Sequence, residues 1–321
     1  MPIIRLINLT RRFEKVTAVD HLSLEIEEGE IFGLLGPNGA GKTTTLLMLT
    51  TVIKSTEGTA IIGEYDIRSV PDKARRLIGM SFQEPKLLWI STSWDVLNWH
   101  AKVCGLSASE RRRQVRWVME ELDLWEDRHK SVHDLSGGTK KRVEIAKLLI
   151  QRPKIAIIDE PTSQIDVVGK HKIWNMIRAL RDEGSTILLA TNELYEADQL
   201  SDRVAIMHRG RLLVCDTPKN LKDSIPGGDI VEIRLESEVA ERTLKDLKGV
   251  KEVADVILIE PSHLRVYLNQ AEKVMPQIMR IFLERGSSIS SINMTEPSLD
   301  DVFLHYTGLT IEMAQIRTPQ R

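Results

Sequence analysis

The stretch Gly36-Pro-Asn-Gly-Ala-Gly-Lys-Thr43 places two glycines, a lysine and a threonine at the spacing G-x-x-x-x-G-K-T. Glycines so spaced let backbone N–H groups turn inward around a phosphate, and a helix starting at Lys42 adds the partial positive charge of its N-terminus. Lys42 reaches the β- and γ-phosphates of a nucleotide, and the Thr43 hydroxyl suits Mg²⁺. A second reactive group is Asp159-Glu160, which follows Ile155-Ala-Ile-Ile158. In an open α/β sheet, ligands gather at the carboxyl ends of the strands, which puts this pair beside the glycine loop. Asp159 would then hold Mg²⁺, directly or through water, and Glu160 would orient or deprotonate an attacking water. These residues imply a nucleoside triphosphate site.

Weaker signals carry two readings each. Leu135-Ser-Gly-Gly-Thr-Lys-Lys-Arg142 opens a helix, and Ser136 is either a plain N-cap or part of a second anion site. Gln83 closes a strand before Glu84-Pro85 and is either a solvated strand end or a phosphate sensor. Phe13 lies in a loop among Arg11, Arg12 and Lys15, as an anchor for that loop or a platform for a base. Trp89, Trp94, Trp99, Trp117 and Trp125 are core residues or the lining of a partner groove. Arg111-Arg112-Arg113 reads as a solvated helix face.

Hydrophobic periodicity supplies the elements that position these groups. Residues 31–35 read as a buried strand and 42–53 as the helix behind the glycine loop. Half-exposed strands are expected at 3–7 and 22–26, and further strands at 59–62 and 77–82. Residues 86–125 read as helical, as do 137–150. A strand over 155–159, an amphipathic helix over 171–183 ended by Gly184, and a strand over 185–191 follow. Residues 204–208 and 212–215 pair as a hairpin across Arg209-Gly210. Asp223-Ser-Ile-Pro-Gly-Gly-Asp229 reads as a linker. Beyond it, strand 231–236, helix 238–247, strands 252–259 and 264–268, helix 271–285, strand 288–293 and helix 298–306 give βαββαβ plus one helix, a small ferredoxin-like domain. The expected organisation is therefore a core over 1–222, a linker over 223–229, an accessory domain over 230–307 and a tail over 308–321, frayed from its polar residue 310 onward.

A length of 321 residues accommodates two such domains. Net charge is −2, which gives no bias toward nucleic acid or anionic lipid. Cys104 and Cys215 lie far apart, fit no metal spacing and read as small buried apolar residues of a reducing compartment. No N-terminal segment resembles a signal peptide. No apolar run approaches the ~20 residues needed to cross a bilayer, so membrane work is expected to require a partner.

Together the motifs resemble the ATP-binding subunit of an ABC transporter over residues 1–220. Residues 36–43 match Walker A, Gln83 the Q-loop, 135–138 the signature and 155–160 Walker B. Ser163-Gln-Ile-Asp166 matches the D-loop, and Phe13 the adenine-stacking aromatic. Glu296-Pro-Ser-Leu-Asp-Asp-Val-Phe-Leu304 resembles the ending of exporter ATPases in the daunorubicin-resistance and polysaccharide-export branch. The resemblance implies an α/β P-loop NTPase core with an antiparallel β subdomain and a helical subdomain, plus a small α+β ferredoxin-like C-terminal domain. It implies ATP and Mg²⁺ as cofactors. Gly36, Pro37, Asn38, Gly39, Ala40, Gly41, Lys42, Thr43, Thr44 and Phe13 would bind nucleotide. Thr43, Gln83 and Asp159 would surround the metal, and Glu160, Gln83 and Asn192, at the switch-histidine position, would be catalytic.

By the same resemblance, two copies form a head-to-tail dimer in which Ser136, Gly137, Gly138 and the D-loop Asp166 of one face the ATP of the other. A separate integral membrane permease is the other expected partner, which puts the chain peripherally on the cytoplasmic face of the membrane. Three positions depart from the family pattern. Thr139 stands where glutamine is usual, Gln164 replaces the D-loop glycine, and the switch histidine falls on Asn192. The expected function is ATP hydrolysis that powers an exporter through dimer closure. Its rivals are a nucleotide-gated regulatory subunit with little turnover, and a soluble ABC-type ATPase not engaged in transport.

Overall fold

The computed structural model describes residues 1–316, and the end of the expected tail, 317–321, lies outside the described residues. The chain divides into two compact units at Cys215/Asp216. The first opens with β1 (Pro2–Phe13) and β2 (Val16–Glu27), then β3 (Ile31–Leu35) and α1 (Lys42–Leu49). Next come β4 (Glu57–Ile62), β5 (Tyr65–Asp66), α2 (Pro71–Arg76) and β6 (Ile78–Ser81). Three helices follow: α3 (Ser93–Val103), α4 (Ala108–Glu121) and α5 (Gly137–Gln151). The unit closes through β7 (Ile155–Asp159), α6 (Val167–Asp182), β8 (Thr186–Thr191), α7 (Leu194–Leu200), β9 (Arg203–His208) and β10 (Arg211–Asp216).

A six-stranded sheet runs β10-β9-β3-β8-β7-β6, parallel from β9 to β6, and a four-stranded sheet runs β2-β1-β4-β5 with antiparallel pairs. Both faces of the parallel sheet are buried, which is why β3, β7 and β8 are continuous apolar runs. Ala156, Ile158, Ile187 and Leu189 join the core under α3–α6, whereas Ile157, Leu188, Phe32 and Leu34 join the core shared with α1 and the antiparallel sheet. Consecutive strand residues thus serve opposite layers. The β9–β10 hairpin turns on Arg209 and Gly210, both left-handed, as a two-residue primed turn requires.

Several boundaries differ from the sequence expectation, each for a local reason. β1 and β2 are far longer than 3–7 and 22–26, because bulges near Asn8 and His21 (φ 47° and 50°) interrupt the alternation that marks a strand. Phe13 consequently ends β1 rather than lying in a loop. α1 stops at Leu49, not 53: Thr50 Oγ1 bonds back to the Leu46 carbonyl and Thr51 turns left-handed. The 86–125 segment is two helices rather than one helical stretch. Thr92 caps the first, and Ser107 caps the second in a box with Glu110. Trp94 and Trp125 pack edge-on at 6.0 Å against the core, while Trp89, Trp99 and Trp117 are exposed. α6 starts at Val167, four residues early, because Asp166 caps it.

The second unit contains α8 (Pro218–Asp223), β11 (Asp229–Leu235), α9 (Glu241–Lys248), β12 (Val253–Glu260), β13 (His263–Leu268), α10 (Ala271–Glu284), β14 (Ile289–Thr295), α11 (Leu299–Thr307) and α12 (Ile311–Ile316). Its sheet is ordered β12-β13-β11-β14 with every pair antiparallel, the ferredoxin-like arrangement. The expected boundary at 222/223 falls inside this unit. Leu221 and Ile225 are buried and α8 packs on α11, so the glycines at 227–228 turn the chain into β11 instead of separating two domains. Residues 311–316 of the expected tail form a helix with Ile311 and Ala314 buried. Ser298 and Asp301 make a capping box at the start of α11. Arg265 bonds Glu232 at 2.6 Å and Asp301 at 2.8 Å.

Candidate active site

The glycine loop joins the end of β3 to the start of α1. Gly41 has φ 103°, closed to most L side chains, and a Cβ on Gly36 would collide with the Met207 carbonyl. Lys42 is buried and folds back over the loop, its ammonium donating to the carbonyls of Gly36 (2.6 Å) and Pro37 (3.2 Å). Burial lowers its pKa, and the charges of Glu160 and Asp159 act in the opposite direction. A cleft of about 210 Å³ is lined by residues 38–44, Gln83 and Glu160.

β6 and β7 lie side by side in the sheet, so the residues that leave their ends meet at this cleft. The Thr43 hydroxyl donates to Asp159 Oδ2 at 2.8 Å. Asp159 Oδ1 is buried with no partner among the described residues. Burial raises the Asp159 pKa, against the Thr43 hydrogen bond and the cations of Lys141 and Lys42. An orphaned carboxylate oxygen, a hydroxyl and the nearby Gln83 amide are hard oxygen donors of the kind Mg²⁺ takes. No cluster of three or more His, Cys, Asp or Glu able to hold a metal occurs among the described residues. A cation here would therefore complete its shell with phosphate and water oxygens.

Glu160 sits just past β7 in a left-handed conformation (φ 45°), its N–H bonded to the Ala190 carbonyl of β8 at 2.8 Å. Burial raises its pKa first, and the neighbouring Lys42 charge offsets this. At the end of β8, the Asn192 amide donates to Asn38 Oδ1 at 3.3 Å, which sets it against the glycine loop. Glu193 is held away by an ion pair with Lys170 at 2.6 Å, and the Thr191 hydroxyl accepts the Glu193 N–H.

The remaining sequence candidates lie elsewhere. Ser136 is exposed and caps α5 by accepting the Thr139 N–H at 3.1 Å. Gly137 and Gly138 lie against Gln164, close enough that a Cβ on Gly137 would strike its side chain. Asp166 caps α6 and pairs with Arg142 at 3.1 Å. None of Ser136, Gly137, Gly138 and Asp166 lines the cleft around Lys42. Phe13 is also outside that lining, with the Arg11 guanidinium 4.3 Å above one ring face.

Sequence reasoning missed buried charges near the site, Lys141 and Glu196 among them. Lys141 on α5 donates to the carbonyls of Phe82 and Asp159, both at 2.7 Å. Burial lowers its pKa to about 8. Glu196 on α7 accepts from the Thr162 hydroxyl (2.8 Å) and the Trp174 indole (3.0 Å). Helical spacing was the available signal for Lys141, since it shares a stripe with Ile145 and Leu148 and so had to face the interior.

A parallel sheet that gathers a glycine loop, a threonine and an aspartate at its carboxyl ends defines a P-loop nucleotide-binding ATPase. Residues 19–163 match the ABC transporter family, and 217–307 match the C-terminal domain of DrrA1-3-like ATP-binding proteins. The chain is 33% identical to the daunorubicin resistance ATP-binding protein DrrA2 of Streptomyces coeruleorubidus, covering 96% of each. It is 30% identical to the linearmycin resistance ATP-binding protein LnrL of Bacillus subtilis (strain 168), over 95% of this chain and 98% of that protein. Among solved structures it resembles the dimeric post-hydrolysis ATP-binding cassette MJ0796 bound to ADP and phosphate (TM-score 0.62, 26% identity, 67% of this chain and 98% of that one). It also resembles cbiO1 of Clostridium perfringens, part of the cbiONQ transporter complex (TM-score 0.61, 28% identity, 70% and 91%). The chain belongs to the ATP-binding, ATP-hydrolysing proteins of ABC transporters, in the group with a DrrA-type C-terminal domain.

Proposed function

We propose that this chain is the motor subunit of a drug-type exporter: it binds MgATP, closes on it as a dimer, hydrolyses it, and passes the change to a membrane-embedded permease. The observation that carries this is the Thr43–Asp159 contact, with an oxygen of Asp159 left free, in a cleft shared by the glycine loop and Glu160. Thr43, Asp159 and Gln83 hold Mg²⁺, which when bound neutralises charge on the phosphates. The N–H groups of residues 36–44 and the Lys42 ammonium bind the triphosphate, and Glu160 orients and deprotonates water. Asn192 reaches the γ-phosphate from the β8 end. Phe13 stacks the adenine on the ring face that Arg11 leaves free.

Two copies pair head to tail, so that Ser136, Gly137, Gly138 and Asp166 of one complete the nucleotide site of the other. That these residues stand away from the Lys42 cleft of their own subunit supports this, as does the dimeric form of the MJ0796 cassette. No helix among the described residues is long and apolar enough to cross a membrane. The exposed Leu88, Trp89 and Ile90 beyond Gln83 supply an apolar face suited to a permease, on the cytoplasmic side. Export is supported by the resistance functions named for DrrA2 and LnrL, and a net charge of −2 supports no nucleic-acid role.

The test is steady-state ATP hydrolysis with and without the co-expressed membrane subunit, where turnover should rise on adding it. Nucleotide binding with negligible turnover in both would favour the nucleotide-gated regulatory reading, which Asn192 at the histidine position supports. Turnover indifferent to the membrane subunit would favour a soluble ATPase outside transport.

A further inference from the structure

One turn of α5 carries two charged side chains into the interior: Lys141 is 1% exposed and Glu144 0%. The Lys141 ammonium donates to the Phe82 and Asp159 carbonyls. Glu144 Oε1 accepts the Lys86 N–H at 2.9 Å, and its other oxygen pairs with Lys147. Phe82 and Lys86 flank Gln83, so a single helical turn grips both sides of the segment that carries it. The β6–β7 ladder ends at Ser81 and Ile158. Lys141 bonds the next carbonyl on each strand, which ties Gln83 to the end of β7 where Asp159 sits.

Two buried full charges are a costly way to fill this space. A neutral donor would satisfy the carbonyls, and an apolar side chain would pack the core. Charge-assisted bonds add a short, fixed geometry, which matters where groups must meet a metal within a few tenths of an ångström. We propose that Lys141 and Glu144 are positioning residues that set Gln83 and Asp159 toward the metal of the bound nucleotide. They thereby couple the helix that begins at Ser136 to the metal's surroundings. A shift of Ser136 on meeting a second copy would then travel through one rigid turn to Gln83. This rests on the reading that Gln83 and Asp159 face Mg²⁺.

The test uses the full-length protein and the variants Glu144→Ala, Glu144→Gln, Lys141→Met, Gln83→Ala and Glu144→Ala combined with Gln83→Ala. Measured are kcat, KM for ATP, the Mg²⁺ concentration for half-maximal rate, and binding of ATP without Mg²⁺. Glu144→Ala should lower kcat roughly tenfold and raise the Mg²⁺ requirement, while Mg²⁺-free ATP binding stays near wild type. Glu144→Gln keeps an acceptor for the Lys86 N–H but removes the charge and the Lys147 pair, and should fall between wild type and Glu144→Ala. Because the clamp acts through Gln83, adding Glu144→Ala to Gln83→Ala should cost less than about twofold more. Lys141→Met removes the ammonium but keeps the stem, and should reproduce the Glu144→Ala pattern even if that variant fails to fold. An unchanged Mg²⁺ requirement in both clamp variants overturns the proposal. So does a full, additive loss in the double variant. If Gln83→Ala itself leaves the Mg²⁺ requirement unchanged, the reading of Gln83 falls and the proposal with it. An affected Gln83→Ala with additive Glu144→Ala overturns the proposal alone.

Discussion

Asn192 donates its side-chain amide to Asn38 Oδ1 at 3.3 Å, tying the end of β8 to the glycine loop. The bond engages one of the two N–H donors of the amide and leaves its oxygen free as an acceptor. Whatever this position does for the γ-phosphate, it does without an ionisable ring.

A histidine here could take up positive charge as the transition state forms, which asparagine cannot. Asn192→His is therefore expected to raise kcat, by about tenfold, and to leave KM within about twofold. Steady-state kinetics of Asn192→His and Asn192→Ala test this. Unchanged kcat in both would remove Asn192 from the site.

Glu160→Gln is expected to bind MgATP while hydrolysis falls by roughly 10²–10⁴-fold, the range for a general base. Light scattering with MgATP should then report a persistent dimer. Monomers alone, even with the membrane subunit reconstituted, would count against the closed pair.

Burial raises the Glu196 pKa above its ordinary value, with hydrogen bonds from Thr191, Thr162 and Trp174 opposing this. The folded state then holds a proton that the unfolded state releases, so Glu196 favours folding below the ordinary carboxylate pKa of 4.5. That contribution is lost as pH rises through the raised pKa. Glu196→Gln keeps the acceptor oxygen for Thr162 and Trp174 and removes the charge. Melting curves across pH should show Glu196→Gln equal to wild type in acid and more stable at neutral pH. Equal or lower stability of the variant at neutral pH would contradict this.

A chain ending at Cys215 should fold and bind nucleotide, because the antiparallel and parallel sheets and both of their cores lie within Met1–Cys215. Calorimetry should show one cooperative transition that MgATP moves upward. A chain extended to Gly227 should do no better, since Leu221 and Ile225 then lose the unit that buries them.

The phosphate loop, the carboxylate pair and the ferredoxin-like order were legible because each is a local pattern. Glycine spacing, four apolar residues ahead of Asp159, and alternating periodicity are all written in contiguous residues. What escaped depended on distant neighbours. The bulges at Asn8 and His21 exist because β1 pairs with β2 on one edge and β4 on the other, and no local rule announces them. The 222/223 boundary failed because turn-forming residues 226–228 read as a linker, while burial of Ile225 is visible only in three dimensions. Glu144 escaped because its partner, the Lys86 N–H beside Gln83, lies far away in the chain. The segment 296–304 was legible as a resemblance and, from 298 on, as a helix. Its chemistry, Asp301 capping α11 while bonded to Arg265, links residues far apart in the chain.

The separation of Ser136 from the cleft around Lys42 bears on inheritance as well as on catalysis. On the head-to-tail pairing, a subunit with a ruined glycine loop and a subunit with a ruined signature would assemble into a dimer with one site doubly damaged and the other intact. Two alleles that are each inactive alone, Lys42→Ala and Ser136→Arg, would then complement when expressed in the same cell. Two alleles damaged in the same motif would not.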